Sequence, residues 1–201
     1  MKKIIYIIVL SITVLVEMKA QTRIVNVNSG ESFVDAPSGT YIKDINNTFT
    51  PYLGTWKYQN GNEILIIKFE KVTKHYYPEY NNYKDFIKGN YSYTNSGGTS
   101  YITNTIVSNF NNNDPNANSF YSGGPSADGF YRTSPSVEIL DCSFKDQLHQ
   151  KSADALFSFV AGTTTQLQIK LIGHSRGYIF PEVVPPSGFS IPHNVILTKQ
   201  P

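Results

Sequence analysis

Residues 173–177 form the stretch whose types and order match a nucleophile motif, G-x-S-x-G with Ser175 at its centre. In serine hydrolases this motif turns sharply from a strand into a helix, which exposes the serine hydroxyl and supplies an oxyanion donor. Here Pro181 follows closely, and the only acid and histidine further along are Glu182 and His193. An α/β-hydrolase also has several βα units before the motif, whereas this chain shows hairpin signals. We therefore predict no catalytic residue and an ordinary strand end at this position.

The four histidines are scattered along the chain at His75, His149, His174 and His193. They lack the i, i+4 and C-x-x-C spacings that bring zinc ligands together. Residues 109–118 are rich in side-chain oxygens, but they contain one carboxylate and lack the order of a calcium-binding loop. Pairs of carboxylates elsewhere flank loops without a spacing that argues for acid and base roles. We therefore predict that the protein binds no metal and no cofactor.

Charged residues are sparse and balanced in number. They make up 16% of the chain, against roughly 25% in average globular proteins. Of the 17 basic and 15 acidic residues, residues 1–20 hold three lysines and one glutamate, so the remainder is neutral with 14 of each. A neutral chain lacks the basic field that draws proteins to nucleic acid. We predict no nucleic-acid partner.

The first 20 residues have the order of a secretory signal peptide. Lys2 and Lys3 precede the apolar residues 4–16, and Ala20 stands at the expected cleavage position. The 13-residue apolar stretch is shorter than the ~20 residues that a helix needs to span a bilayer, so cleavage is favoured over anchoring. No cysteine lies near Ala20 to take the lipid of a lipoprotein. We expect export to the periplasm or the extracellular space, with cleavage near Ala20 and no membrane span.

Cys142 is the only cysteine, so an internal disulfide is excluded and stability must come from packing. Leu140 and Phe144 lie two residues away on either side, in a strand-like pattern. We interpret Cys142 as a small buried hydrophobe. An intermolecular disulfide and a reactive thiol stay open as alternatives.

Alternation of apolar and polar residues, which is typical of strands with one buried face, runs through most of the chain. It is clearest at 166–171 and recurs at 63–72. Asn60-Gly61 separates 53–58 from 63–72, and Asn-Gly is a strong hairpin signal because both residues tolerate positive φ. Further strands are predicted at 23–27, 88–94, 99–107, 137–144, 156–160 and 195–199.

The short, regularly spaced strands predict an all-β fold, either a sandwich or an up-and-down barrel. One short helix is predicted at 145–155. Residues 108–135 are crowded with Asn, Gly, Ser and Pro, and we predict a lid or a loop there. Four prolines in 178–192 exclude a regular helix and a central strand from that segment.

The segment Gly54-Thr55-Trp56 holds the only tryptophan and is followed by the Asn-Gly hairpin. It resembles the G-x-W motif that opens the first barrel strand in lipocalins and related calycins. The resemblance implies an antiparallel up-and-down β-barrel of about eight strands. It also implies that Gly54 permits a tight entry to the strand and that Trp56 closes one end of the barrel beneath a basic side chain. That side chain would be Arg176 or Lys199. We predict that Gly54, Trp56 and Arg176 form the motif that closes the barrel.

The whole chain, including residues 188–199, is also similar to an uncharacterised family of small exported proteins from Bacteroidota. That similarity brings no known activity. Together the two resemblances predict a signal peptide at 1–20, an N-terminal extension at 21–50 and a lipocalin-like barrel domain at 51–201.

Two functions other than catalysis are compatible with such a barrel. The first is the binding of a small apolar ligand inside the barrel or at its mouth. The second is an interaction or inhibitor-type module without an internal ligand, which presents loops such as 108–135 to another molecule. Aromatic residues at 75–80, 120–121 and 130–131 favour the second, because tyrosine is common at recognition surfaces.

Overall fold

The computed structural model describes residues 22–95, 97–98, 100–102, 120–122, 125–126, 139–146, 149, 151–173 and 188–201. The strands in these residues are β1 (Ile24–Asn26), β2 (Tyr41–Lys43), β3 (Gly54–Asn60), β4 (Glu63–Tyr77), β5 (Asn82–Thr94), β6 (Ser100–Ile102), β7 (Phe120–Ser122), β8 (Pro125–Ser126), β9 (Ile139–Asp146), β10 (Lys151–Phe159), β11 (Gln166–Gly173) and β12 (Val195–Lys199). Within the described residues, the helical structure is a single 3₁₀ turn, Thr50–Tyr52. The predicted all-β class is confirmed.

Eight of the strands close into a barrel in which each strand pairs antiparallel with the next one of the set along the chain. The set is β3, β4, β5, β7, β9, β10, β11 and β12. Closure is made where β12 returns to β3, through the pairs Thr198–Lys57 and Lys199–Trp56. The predicted antiparallel up-and-down barrel is therefore confirmed.

The turn between β3 and β4 follows the predicted hairpin. The ladder runs to the pair Asn60–Glu63, and Gly61 adopts a positive φ of 59° that the tight turn requires. β4 and β5 then form the longest hairpin of the barrel, and their outer ends extend past Val72 beyond a bulge between Val72 and His75. This extension carries the aromatic residues near 75–80 to the outside of the barrel.

The helix predicted at 145–155 is wrong, because β9 continues to Asp146 and β10 begins at Lys151. Ala153 and Ala155 are buried in β10 and pair with Phe144 and Cys142 of β9. Small side chains at these positions leave room for the large rings across the barrel. Cys142 itself is a buried thiol, in agreement with its interpretation as a small hydrophobe.

The prediction that 108–135 is entirely a lid or loop is also wrong, because it contains β7 and β8. β7 is a barrel strand, pairing with β5 through Phe120–Gly89 and with β9 through Phe120–Phe144. A strand of three residues is too short to show a period of two in the sequence, so its place is fixed by contacts on both sides. The other residues of the predicted loop lie outside the described residues. Of the segment 178–192, residues 188–192 are described.

The middle of the barrel is filled by five aromatic rings. Neighbouring pairs have ring centroids 4.8–6.2 Å apart, and all five side chains are buried: Phe69, Tyr91, Phe120, Phe144 and Phe157. Packing at this level depends on Gly89, since a Cβ there would lie 2.6 Å from the Phe69 ring. These contacts are those of a close-packed protein core.

Candidate functional site

Trp56 lies at the end of the barrel where the chain enters β3. Its indole is fully buried, and Nε1 donates a 2.7 Å hydrogen bond to the Tyr52 carbonyl in the preceding 3₁₀ turn. Lys199 lies above it, with Nζ 5.2 Å from the indole centroid and 3.1 Å from the Pro51 carbonyl. Gly54 begins the strand at φ 107°, a conformation that other residues rarely adopt. We call these residues the Trp56 end.

The cation over the indole is thus Lys199, which β12 positions because Lys199 pairs with Trp56 across the closing ladder. Arg176, the other candidate from the sequence, lies outside the described residues, as does Ser175. The indole is covered on one side by Lys199 and on another by Phe159, whose ring centroid is 6.3 Å away. The geometry gives Trp56 a packing role, because no face of the buried indole is open to a ligand.

A buried polar network joins the N-terminal extension to the same end of the barrel. Asp85 accepts hydrogen bonds from the Tyr41 hydroxyl at 2.6 Å, the Lys74 amide at 2.8 Å and the Asp44 amide at 3.0 Å. Lys71 Nζ lies 2.8 Å from Asp44 and 3.7 Å from Asp85. Burial, and then the hydrogen bond to Asp85, raise the pKa of Tyr41.

This network positions the extension. β2 pairs parallel with β5 through Tyr41–Tyr83 and Ile42–Lys84, so the side chains of the network meet at one point. Phe49, two positions before Pro51, then enters the core with no exposed surface. Each carboxylate accepts hydrogen bonds and has the Lys71 ammonium nearby, so the buried charges of the network have partners and join the extension to the barrel end.

The opposite end of the barrel is held by Asp146, at the end of β9. Its buried carboxylate accepts hydrogen bonds from Ser190 N at 2.6 Å, Ser190 Oγ at 2.7 Å and His149 N at 3.1 Å. Ile191 follows Ser190 into the core and is 2% exposed. Lys151 Nζ donates to the Gly188 carbonyl at 2.8 Å. We call these residues the Asp146 end.

Asp146, His149 and Ser190 are the residue types of a catalytic triad, and sequence reasoning missed their proximity. Their geometry differs from a triad, because Ser190 Oγ donates to the carboxylate and not to the imidazole. His149 Nδ1 is 3.8 Å from Asp146 Oδ2 and 3.3 Å from the Gly188 carbonyl. The contacts of Asp146 with Ser190, and of His149 and Lys151 with the Gly188 carbonyl, hold the segment 188–191 in place, and we call them a latch.

The β4–β5 extension carries two groups of aromatic rings, because Tyr76 and Tyr77 are neighbours in a strand and point to opposite faces. We call the two groups together the outer aromatic patch. It consists of Phe33, Tyr76, Tyr77, Tyr80 and Tyr83. Phe33 contacts Tyr77 and Tyr80 at centroid distances of 4.8 and 5.3 Å, and Tyr76 lies 5.1 Å from Tyr83. Tyr76 and Tyr80 are 43% and 37% exposed. The patch is therefore partly a packed cluster and partly an open aromatic surface.

Two lysines lie over rings of this patch. Lys74 Nζ is 5.3 Å from the Tyr83 centroid, and Lys84 Nζ is 5.4 Å from the Phe33 centroid. Burial lowers the pKa of Lys84. Such cation–π contacts order the rings and add a positive potential beside them.

Some of the aromatic residues that the sequence predicted for recognition lie on the surface, and others lie in the core. Phe120 is in the core of the barrel, so the expectation that it is exposed is wrong. Tyr121 bonds the hydroxyl of Tyr77 at 2.7 Å, and burial raises the pKa of both tyrosines. Residues 130–131 lie outside the described residues. Tyr76 and Tyr80 are the ones with accessible rings.

Within the part of the chain that the structure describes, no three His, Cys, Asp or Glu side chains come together in an arrangement that could hold a metal ion. Among the same residues, no helix has the length and apolar character needed to cross a membrane.

These features define a closed, eight-stranded antiparallel barrel with a packed centre and with chain segments folded over both ends. A model for a family of unknown function, DUF6705, matches residues 1–200. The chain therefore belongs to that family. No curated protein and no solved structure matches it.

Proposed function

We propose that the protein is an exported, non-catalytic binding module that recognises another macromolecule through its outer surface, without a small ligand inside the barrel. The observation that carries this proposal is the packed centre of the barrel. The sequence left ligand binding in the barrel and surface recognition both open, and the packing supports the second.

Aromatic rings pack against one another across the middle of the barrel, where an apolar ligand would lie. Phe120 stacks on Phe144 at 4.8 Å and meets Phe157 at 5.6 Å, so the rings fill the cross-section from β7 to β10. Ligand pockets in proteins typically have volumes of about 300–1,000 Å³. At the level of Gly89 even one methyl group would overlap the Phe69 ring.

The outer aromatic patch supports recognition on the outside. Tyrosine provides a large contact area at a low cost in side-chain entropy, and its hydroxyl accepts and donates hydrogen bonds. Tyr76 presents such a ring on β4, and Tyr80 presents one on the turn between β4 and β5. Phe33 and Lys84 hold the neighbouring rings in place, which favours a preformed surface.

Export is supported by residues 1–20, whose basic start, apolar stretch and terminal Ala20 have the order of a cleaved signal. We expect the chain, expressed with its own leader in a Bacteroidota cell, to be recovered outside the cytoplasm with Gln21 as its first residue. Intact mass spectrometry of each fraction measures this. The matched variant Val9→Asp places a charge in the apolar stretch and should keep the full-length precursor inside the cell. Full-length wild-type protein in the cytoplasm would contradict export.

The packed interior is tested by native mass spectrometry and by the melting temperature in benzene-saturated buffer. We expect the wild-type chain to carry no small molecule and to show no shift in melting temperature. Phe157→Ala opens a cavity among the rings, and an apolar cavity of this kind binds benzene, so its melting temperature should rise. A co-purified lipid-like molecule in the wild-type protein would overturn the proposal.

A further inference from the structure

The two strands that close the barrel separate before they end. β3 continues to Asn60 and β12 begins at Val195, yet their ladder stops at the pair Thr198–Lys57. Between the separated ends lies an open groove of about 670 Å³. It is lined by Lys57, Tyr58, Gln59, Asn194, Val195, Ile196, Thr198 and Gln200. We call this feature the closing groove.

Backbone groups in a strand point alternately to its two sides, which identifies the groups that face the groove. Gln200 donates to the Thr55 carbonyl of the β3 side at 2.8 Å, whereas Lys199 donates to Thr165 on the β11 side at 2.8 Å. By this alternation Thr198 and Ile196 direct their N–H and C=O groups toward β3. Gln59 directs its own groups toward β12 in the same way. Ile196 and Gln59 would form the next hydrogen-bonded pair of the ladder after Thr198–Lys57, and the ladder stops before it.

We propose that the closing groove binds an extended segment of another polypeptide, which adds its backbone hydrogen bonds to Gln59 and Ile196. This inference rests on the proposed role as a binding module and names its partner as a peptide in strand conformation. Backbone groups that are left without partners at a sheet edge are a template for such a strand. An incoming strand would supply the carbonyl and amide that the closing ladder omits.

The side chains around the groove specify the chemistry of this peptide. Lys57 is the charged residue among those that line it, and no acid lies among them. Ile196 is 47% exposed beside the groove and offers an apolar contact there. These residues favour a peptide with an acidic residue opposite Lys57 and an apolar residue opposite Ile196.

The first test needs no ligand and uses amide hydrogen exchange measured by NMR. In the wild-type protein we expect the Gln59 and Ile196 amides to exchange much faster than those of Lys57 and Thr198, whose ladder is formed. Equal protection at all four amides would overturn the proposal, because it would mean that the groove is closed in solution.

The second test uses a phage library of random peptides about ten residues long, the upper length of a typical strand, selected on the immobilised protein. We expect enriched peptides that carry an acidic residue, and a synthetic copy should slow exchange at the Gln59 and Ile196 amides. Ile196→Pro removes the amide that faces the groove and leaves the ladder with β11 intact, so affinity should fall about tenfold.

A second pair of variants covers the case in which the proline disturbs the strand. Ile196→Asp places a negative charge in the groove and should weaken an acidic peptide. Ile45→Asp changes an isoleucine of similar exposure outside the groove and should leave affinity unchanged. Peptides that bind without protecting the Gln59 and Ile196 amides would overturn the groove as the site, while surface recognition would stand. Failure to select any peptide would overturn the peptide proposal. The proposed function is judged separately, by the tests of the barrel interior and of export described above.

Discussion

The two ends of the barrel differ in the part of the chain that covers them. At the Trp56 end, residues 36–56 are continuous in sequence, and they cover the barrel with buried rings and with the network around Asp85. At the Asp146 end, the described cover is the short segment 188–191, which the Asp146 carboxylate and the side chains of His149 and Lys151 hold. The comparison indicates that the Trp56 end contributes to global stability and that the Asp146 end can open locally. Five predictions test this difference.

The largest effect is expected from Trp56→Ala. It removes a fully buried indole and its hydrogen bond to Tyr52, and we expect a loss of about 3–5 kcal/mol in the free energy of unfolding. Urea denaturation followed by circular dichroism measures it, since the only tryptophan is gone. Trp56→Phe is the control, because it keeps a ring and should cost less. If Trp56→Ala lowered the free energy of unfolding by less than a typical surface substitution does, the Trp56 end would not support the fold.

Asp85→Ala should be almost as costly. It deprives Tyr41, the buried Asp44 amide and the part-buried Lys74 amide of their acceptor and weakens the pairing of Lys71, and we expect about 3 kcal/mol of destabilisation. Denaturation in urea measures the loss, with Glu31→Ala as a control that should cost much less, because Glu31 is partly exposed and pairs with Arg23 at the surface. If the two variants were equally stable, the network would not couple the extension to the barrel.

At the other end, Asp146→Ala should cost about 2 kcal/mol and act mainly on local opening, because it removes both bonds to Ser190. Hydrogen exchange should show faster exchange of the Ser190 and Ile191 amides, with little change in the centre of the barrel. Ser190→Ala keeps one of the two bonds and should show a smaller increase. Uniformly faster exchange throughout the barrel would remove the proposed difference between the ends.

Stability should also fall at alkaline pH. Burial raises the pKa of Tyr41 and Tyr77, so both stay protonated in the folded chain while they ionise near pH 10 in the unfolded chain. The contribution of these two tyrosines to the free energy of unfolding is complete below about pH 10, and it is lost as the pH rises above that value. Denaturation at pH 9 and about pH 11 measures the slope, which the double variant Tyr41→Phe/Tyr77→Phe should reduce. The exposed Tyr80→Phe is the control, and a slope unchanged by the double variant would contradict the prediction.

The smallest effect is expected from Lys199→Met, which removes the cation over the indole and the hydrogen bond to Pro51. Because the apolar stem is kept, we expect a loss of about 1 kcal/mol in urea denaturation. Lys57→Met, on the same pair of strands, should leave stability nearly unchanged. If both lysine variants lost the same free energy, the loss could not be assigned to the contact with Trp56.

Local signals in the sequence predicted the elements that depend on neighbouring residues. Asn60-Gly61 fixed the first hairpin, and the alternation at 166–171 located β11. Strand β12 has the bounds that the sequence predicted, Val195–Lys199. The G-x-W segment pointed to a barrel, and it is the strand at which the barrel closes.

Features that depend on distant residues were missed. The latch at Asp146 joins positions 44 residues apart, and the bond from Tyr41 to Asp85 joins positions of the same separation. The alternation in β10 was masked by Ala153 and Ala155, whose inward direction follows from their pairing with β9. A pattern among neighbouring residues in the sequence does not predict such pairings, because they form only when the sheet closes.

By itself the sequence determined the all-β class, the first hairpin and the strands with regular alternation, because the side-chain period of two and the turn chemistry are local properties. The tertiary structure decided which rings fill the barrel, which cation lies over Trp56 and where the closing ladder stops. Those features depend on the register between strands and on the fit of side chains from opposite walls, and each is fixed only when the barrel closes.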